Sequence, residues 1–207
     1  MMNVVVTGSE RGIGREIARE LCRRGHFYYG FSKWNEIDVS DYDCIKDAFS
    51  ELEDYPPEAL INNAGIVEMG SILELSPEAW QRQINTNLNG VFYCCKEYAR
   101  IAKNKGGKII NIASTAGLGP RPGRSAYAAS KAAVINFSLS IAEELRPYGI
   151  KVYCIAPGAV ATSLRKQIAP DENPENIMQP KELAQFVVDI VEDGTMLDNQ
   201  IIQARRF

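Results

Sequence analysis

The chain has 207 residues, 45% hydrophobic and 24% charged, with a net charge of −3, which is enough for one domain around one core. That charge gives DNA or RNA binding no electrostatic support, and no apolar run approaches the ~18 residues that would cross a membrane. The five cysteines are odd in number and lack a Cys-x-x-Cys, and His26 is the single histidine, so no metal site is expected and the thiols read as core residues of a cytoplasmic protein.

In chain order, Asn3–Thr7 reads as a first strand rather than a signal peptide, because no basic segment or cleavage pattern accompanies its apolar run. A helix over 12–24 follows, then strands at Phe27–Ser32 and Glu36–Val39 and a helix over 41–53. Next come a strand at Ala59–Asn62, a helix over 77–103, a strand at Lys108–Ser114 and a helix over 124–147. Lys151–Ala156 is a strand, Ala169–Pro180 a mobile turn-rich loop, 180–193 a helix, and Gln200–Ala204 a last strand. The alternation predicts an α/β protein, a Rossmann-type doubly wound parallel sheet of about seven strands flanked by helices. It forms a single domain over 1–207, with a small substrate lid around 159–180.

Ligands of such sheets bind at the carboxyl ends of the strands, and the unusual runs of this sequence all fall there. Gly8-Ser9-Glu10-Arg11-Gly12-Ile13-Gly14 leaves the first strand and enters a helix. Gly8 suits the tight turn, Gly12 the approach of a pyrophosphate, and Gly14 close helix–strand packing. The spacing is Gly-x-x-x-Gly-x-Gly, not the usual dinucleotide Gly-x-Gly-x-x-Gly. Farther on, Ser114 precedes Tyr127, and Lys131 lies four residues beyond the tyrosine. Residues four apart share a helix face, so Lys131 can bring a cation to the Tyr127 phenol. A cation lowers a phenol's pKa from ~10, which suits proton exchange with a carbonyl oxygen.

As a set, these residues resemble the short-chain dehydrogenase/reductase family. The matches are Thr7–Gly14, Asn62-Asn63-Ala64-Gly65, Asn87, Ser114, Tyr127-x-x-x-Lys131, and Pro157-Gly158 with Thr162. The resemblance implies a Rossmann-type fold and NAD(P)-dependent interconversion of a carbonyl and a secondary alcohol. It makes Tyr127 the general acid/base. Lys131 lowers its pKa and bonds the nicotinamide ribose, Ser114 holds the substrate oxygen, and Asn87 anchors a relay water. Asn63, Ala64 and Gly65 line the cofactor site beside Gly8, Ser9, Arg11, Gly12, Ile13 and Gly14. Pro157, Gly158, Val160 and Thr162 flank the nicotinamide, and Asp38 contacts the adenine.

Three features depart from the family pattern. Only five residues separate Ser32 from Asp38, where the family usually inserts a helix, the segment after the sixth strand is short, and the C-terminus lacks the common Gly-Gly. Some members, often NADP-dependent, end with a strand and basic residues instead, as in Ala204-Arg205-Arg206 here. The second strand is followed by Ser32 and Lys33, with no carboxylate before Glu36. With Arg11, these residues suit the 2′-phosphate of NADP(H), although NAD(H) remains possible and Glu36 could swing in. From Ala126 to Ala142, Lys131 is the only charged residue, so the outer face of that helix lacks a charged stripe and a homo-oligomer is expected. Arg121, Arg124, Arg165 and Lys166 could attract an anionic substrate, but solvated surface charge accounts for them more simply. A catalytically silent NADP-binding regulator is the competing function. A sugar-nucleotide epimerase would need a larger C-terminal region.

Overall fold

The computed structural model describes residues 1–193 and 201–205. Among them, six parallel strands form one sheet in the order β2-β1-β3-β4-β5-β6. The strands are β1 Asn3–Thr7, β2 Phe27–Phe31, β3 Ala59–Asn62, β4 Gly107–Ile112, β5 Ile150–Pro157 and β6 Ile201–Ala204. The helices are α1 Gly12–Arg23, α2 Tyr42–Ser50, α3 Pro77–Ile84, α4 Gly90–Ala102, α5 Ser125–Leu145, α6 Ser163–Ile168 and α7 Pro180–Asp193.

Both faces of the sheet are covered, which explains why its strands are near-continuous apolar runs. Ile17 and Leu21 of α1 and Leu183, Val187 and Val191 of α7 pack on Val4, Val6, Ile61, Ile110 and Ile155. On the opposite face, Ile45 and Phe49 of α2, Cys94 and Tyr98 of α4, and Val134 and Ile141 of α5 cover Val5, Leu60, Ile109 and Val152. The chain leaves β1 toward β2 on one side and returns to β3 on the other. The carboxyl ends of β1 and β3 therefore form the crevice where such sheets bind ligands.

The expected strand at Glu36–Val39 does not form. A 3-10 turn occupies Lys33–Asn35, Glu36 takes the left-handed conformation with φ 61, and Val39 tucks against Gly90. The reason is chain length: a parallel crossover needs a dozen or more residues, and Lys33–Asn35 offers one tight turn. The sheet thus has six described strands, with β2 at its edge. The single helix expected over 77–103 is α3 and α4 joined by a π-helical stretch, Asn85–Asn89. The segment 169–180 contains one 3-10 turn, Pro174–Asn176. Gln200, expected to open the last strand, and Arg206 of the basic C-terminus lie outside the described residues.

Candidate active site

The carboxyl ends of β1, β3, β4 and β5 open onto one cleft of about 950 Å³. Gly8, Arg11, Gly12, Ile13, Ser32, Lys33, Asp38, Asn63, Ala64 and Gly65 line it. So do Ser114, Tyr127, Lys131, Pro157, Gly158, Val160 and Thr162. Three expected residues stand behind the wall. Ser9 is buried against Gly30, Gly14 is buried in α1, and Asn87 is wholly buried in the π-helical stretch.

The glycine loop is shaped by close approach. Gly8 has φ 65 and Gly12 φ 54, conformations in which a side chain is strained. A Cβ at Gly14 would fall 2.2 Å from the Gly8 carbonyl oxygen. Asn63 locks the loop from β3, its Nδ2 donating to the carbonyls of Thr7 at 3.0 Å and Gly8 at 3.1 Å. Thr7 Oγ1 returns the favour, accepting from the Asn63 and Ala64 amides, each at 3.0 Å. Behind them Asn62 Nδ2 donates to Asn111 Oδ1 at 2.9 Å, tying β3 to β4 inside the core.

The chemical groups sit on the opposite wall. Ser114 caps the 3-10 turn Thr115–Leu118, accepting from the Ala116 amide at 3.1 Å, and also hydrogen-bonds the Tyr127 phenol. Lys131 is buried, and its Nζ donates to the Ile112 carbonyl at 2.7 Å, 6.0 Å from the centre of the Tyr127 ring. In the protein alone the Tyr127 phenol lies above its ordinary value. Burial raises the Tyr127 pKa above 10.0, and what opposes the rise is the Ser114 hydrogen bond and then the Arg124 charge. The reason is geometric: the Lys131 ammonium bonds a carbonyl of β4 rather than the phenol.

Asn87 is tied into the wall by its side-chain amide. Its Oδ1 accepts from the Ile66 amide at 2.9 Å, and its Nδ2 donates to the Ile66 carbonyl at 2.9 Å and to Ser130 Oγ at 3.2 Å. Those bonds engage both ends of the amide, so the side chain pins the loop after β3 to α5. Ser130 Oγ then donates to the Tyr127 carbonyl at 2.7 Å, completing the tie. π-Helical turns of this kind recur at functional sites.

Several cleft residues carried no sequence signal. Glu10 accepts a hydrogen bond from Ser32 Oγ at 3.0 Å, and Trp34, 83% exposed, stands on the rim. Gly117 lets the turn carrying Ser114 lie against α5. A glycine after the serine was a visible clue, but its partner, 15 residues away in sequence, was not.

Burial pushes the Lys131 ammonium down from 10.5 to about 8. Between pH 8 and 10.5 the unfolded chain therefore holds more protons than the folded one, and this lysine's contribution to stability rises with pH across that window. Below it the burial cost is constant, and above it the cost is gone. Lys131→Met removes the titration. The stability of wild type minus that of the variant should rise by on the order of 3 kcal/mol across the window, read by urea unfolding at its two ends. A pH-independent difference would show that the ammonium is not desolvated.

Comparison with known proteins agrees with this geometry. The model of the short chain dehydrogenase family matches residues 32–173, from the end of β2 past α6. The chain is 34% identical over 194 residues to 3-oxoacyl-(acyl-carrier-protein) reductase FabG of Haemophilus influenzae, covering 84% of this chain and 80% of that one. FabG of Chlamydia trachomatis is 30% identical over 225 residues, covering 92% and 90%. A crystal structure from Agrobacterium tumefaciens, described as a candidate gluconate dehydrogenase, superposes with a TM-score of 0.85 at 28% identity, over 98% of this chain and 94% of that one. With its sheet, cleft and Ser114–Tyr127–Lys131 wall, this chain belongs to the short-chain dehydrogenase family of NAD(P)-dependent oxidoreductases.

Proposed function

We propose that this protein interconverts a carbonyl and a secondary alcohol using NADP(H), with Tyr127 as general acid/base. The observation carrying this is the convergence of Ser114, Tyr127 and Lys131 on one wall of a cleft whose other wall is the glycine loop. The cradle fits a dinucleotide. Gly8, Gly12 and Gly65 leave room along its floor, and a Cβ at Gly65 would come within 3.7 Å of Lys131 Nζ. When bound, the nicotinamide supplies or accepts a hydride. In reduction, the Tyr127 phenol gives its proton to the oxygen of the forming alcohol, and Ser114 donates a hydrogen bond that strengthens as charge develops there. Arg124, whose charge already acts on Tyr127, and Lys131 stabilise the resulting phenolate. Asn87 acts through position, holding Ile66 and α5 together. Oxidation of NADPH by any member of a ketone, aldehyde and acyl-thioester panel tests the reading. Binding without turnover would favour a silent NADP-binding regulator.

For cofactor choice, Arg11 is exposed on the cleft and makes no ion pair among the described residues. Lys33 is held by Asp38 at 2.6 Å, so its charge is partly spent and Asp38 is turned to it. Glu36 does not line the cleft. Arg11 is thus the main cation for a 2′-phosphate. NADPH should bind more tightly than NADH in titrations followed by Trp34 fluorescence, and Arg11→Ala should erode that preference by ~10-fold. Lys33→Ala should matter less. Tighter NADH binding, with Glu10 accepting from the ribose, would overturn the assignment.

The protein also acts as a homo-oligomer of cytoplasmic location. The outward stripe of α5 is Ala129, Ala132, Asn136, Leu139 and Ser140, uncharged until Glu143, and Phe92 of α4 beside it is 44% exposed. No helix among the described residues is long and apolar enough to cross a membrane. Light scattering at micromolar concentration should give a multiple of 23.0 kDa. A monomeric mass would refute the pairing. Relatives carry names pointing to two substrate types, a 3-oxoacyl thioester and a sugar acid. Either contains a carbonyl or alcohol of the required kind.

A further inference from the structure

We propose that the substrate is a small oxo acid, with the corresponding hydroxy acid as its reduced form, whose carboxylate is held by Arg124 and Arg121 beside the Tyr127 phenol. The inference rests on the carbonyl–alcohol reading above and specifies the substrate class of that site.

Besides Arg11 of the glycine loop, four arginines line the cleft: Arg82, Arg121, Arg124 and Arg165. Two are already neutralised. Arg82 forks onto Glu68 at 3.0 and 2.7 Å. Arg165 forks onto Glu172 at 2.6 and 2.5 Å. The other two are not. Arg121 donates to the backbone carbonyls of Pro120 at 2.9 Å and Thr115 at 3.1 Å. Those bonds aim the guanidinium without cancelling its charge. The Arg124 side chain makes no hydrogen bond or ion pair among the described residues, although it is half-buried.

A half-buried guanidinium without a carboxylate partner is unfavourable, and here its neighbours make it worse. Burial, then the charges of Arg165 and Arg121, push the Arg124 pKa down. Arg124 also caps α5, placing a cation at the positive end of a 21-residue helix. Ser, Thr, Asp or Asn would serve better there, and Arg124 makes no capping bond. The fold gains nothing visible from an arginine at this position, whereas an anion in the cleft would relieve every one of these costs.

Position then limits the ligand. Arg124 and Tyr127 lie three apart at the start of α5, and each charge acts on the other. The reacting carbonyl must sit at the phenol, so the anion bound by Arg124 lies only a few bonds from that carbonyl. A guanidinium fork fits a carboxylate through two parallel bonds. Surface charge, the simpler account from sequence alone, does not describe an aimed and a half-buried arginine inside the cleft.

The test is a matched series of 2-, 3- and 4-oxo acids with their methyl esters, assayed with NADPH. The ratio of kcat/KM for acid over ester is the readout, because any effect of Arg124 on Tyr127 cancels in it. Wild type should prefer the acid. Arg124→Ala and Arg124→Gln should each lower the ratio by ~10- to 100-fold, mainly through KM, and Arg124→Lys should restore part of it. Calorimetry with butanoate alone provides a second readout, in which weak binding to the NADP⁺-saturated wild type should vanish in Arg124→Ala. Esters reduced as well as acids, with a ratio unchanged in Arg124→Ala, would overturn the inference and leave the carbonyl–alcohol reading intact. Failure to reduce any acid or ester, or any carbonyl of the wider panel, would remove both.

Discussion

Tyr127→Phe should lower kcat by ~10²-fold or more, with little change in the folded structure. The substitution keeps the ring that fills the space against Val67 and Ala116, and removes the hydroxyl that bonds Ser114. With no proton to give, the side chain leaves the oxygen of the forming alcohol to take its proton from water, which is not positioned for the transfer. KM should move little, because the loss falls on the transition state rather than on ground-state binding. Ser114→Ala should also lower kcat, and to a smaller extent. Near-normal turnover by Tyr127→Phe, with circular dichroism and melting temperature like wild type, would reject Tyr127 as the acid/base.

Gly117→Ala should damage both stability and turnover, although the residue touches no reacting atom. An added Cβ would lie 2.6 Å from the Ala132 amide nitrogen and 2.7 Å from the Lys131 carbonyl carbon. Both are backbone atoms of α5, which cannot rotate away, so the turn carrying Ser114 must move from the helix carrying Tyr127 and Lys131. Overpacking of this kind costs ~1–3 kcal/mol, or a fall in melting temperature of roughly 2–12 °C for a chain of this size. The displacement should lower kcat by ~10-fold, since small misplacements of catalytic groups are expensive. Gly119→Ala is the control: it meets nothing within 4 Å, and its φ of −179 is ordinary extended backbone. If the two variants behave alike, the packing of Gly117 is not what sets the Ser114–Tyr127 geometry.

The sequence by itself determined the alternation of strands and helices, since short β-branched apolar runs such as Val4-Val5-Val6 and Ile109-Ile110, bounded by turn residues, fit strands buried on both faces. It also brought most of the expected residues to one cleft, because the carboxyl ends of parallel strands share one rim and Tyr127 and Lys131 share one helix face, while Ser9, Gly14 and Asn87 stand behind its wall. Where it went astray, the deciding contacts were distant. Glu36–Val39 has strand-like composition, but three residues after the second strand cannot form a parallel crossover. The partners of the Asn87 amide, Ile66 and Ser130, could not be read from spacing. Spacing alone placed Lys131 near the phenol, and only the packing of α5 on the sheet aimed its ammonium at the Ile112 carbonyl of β4. The same holds for the arginines: a sequence counts charges, while only the fold shows that Glu68 and Glu172 neutralise two of them and leave Arg124 without a carboxylate among the described residues. Local propensity and periodicity act over a few residues and can be read along the chain. The partner of a buried polar or charged group is chosen by which elements the tertiary packing brings within hydrogen-bonding distance.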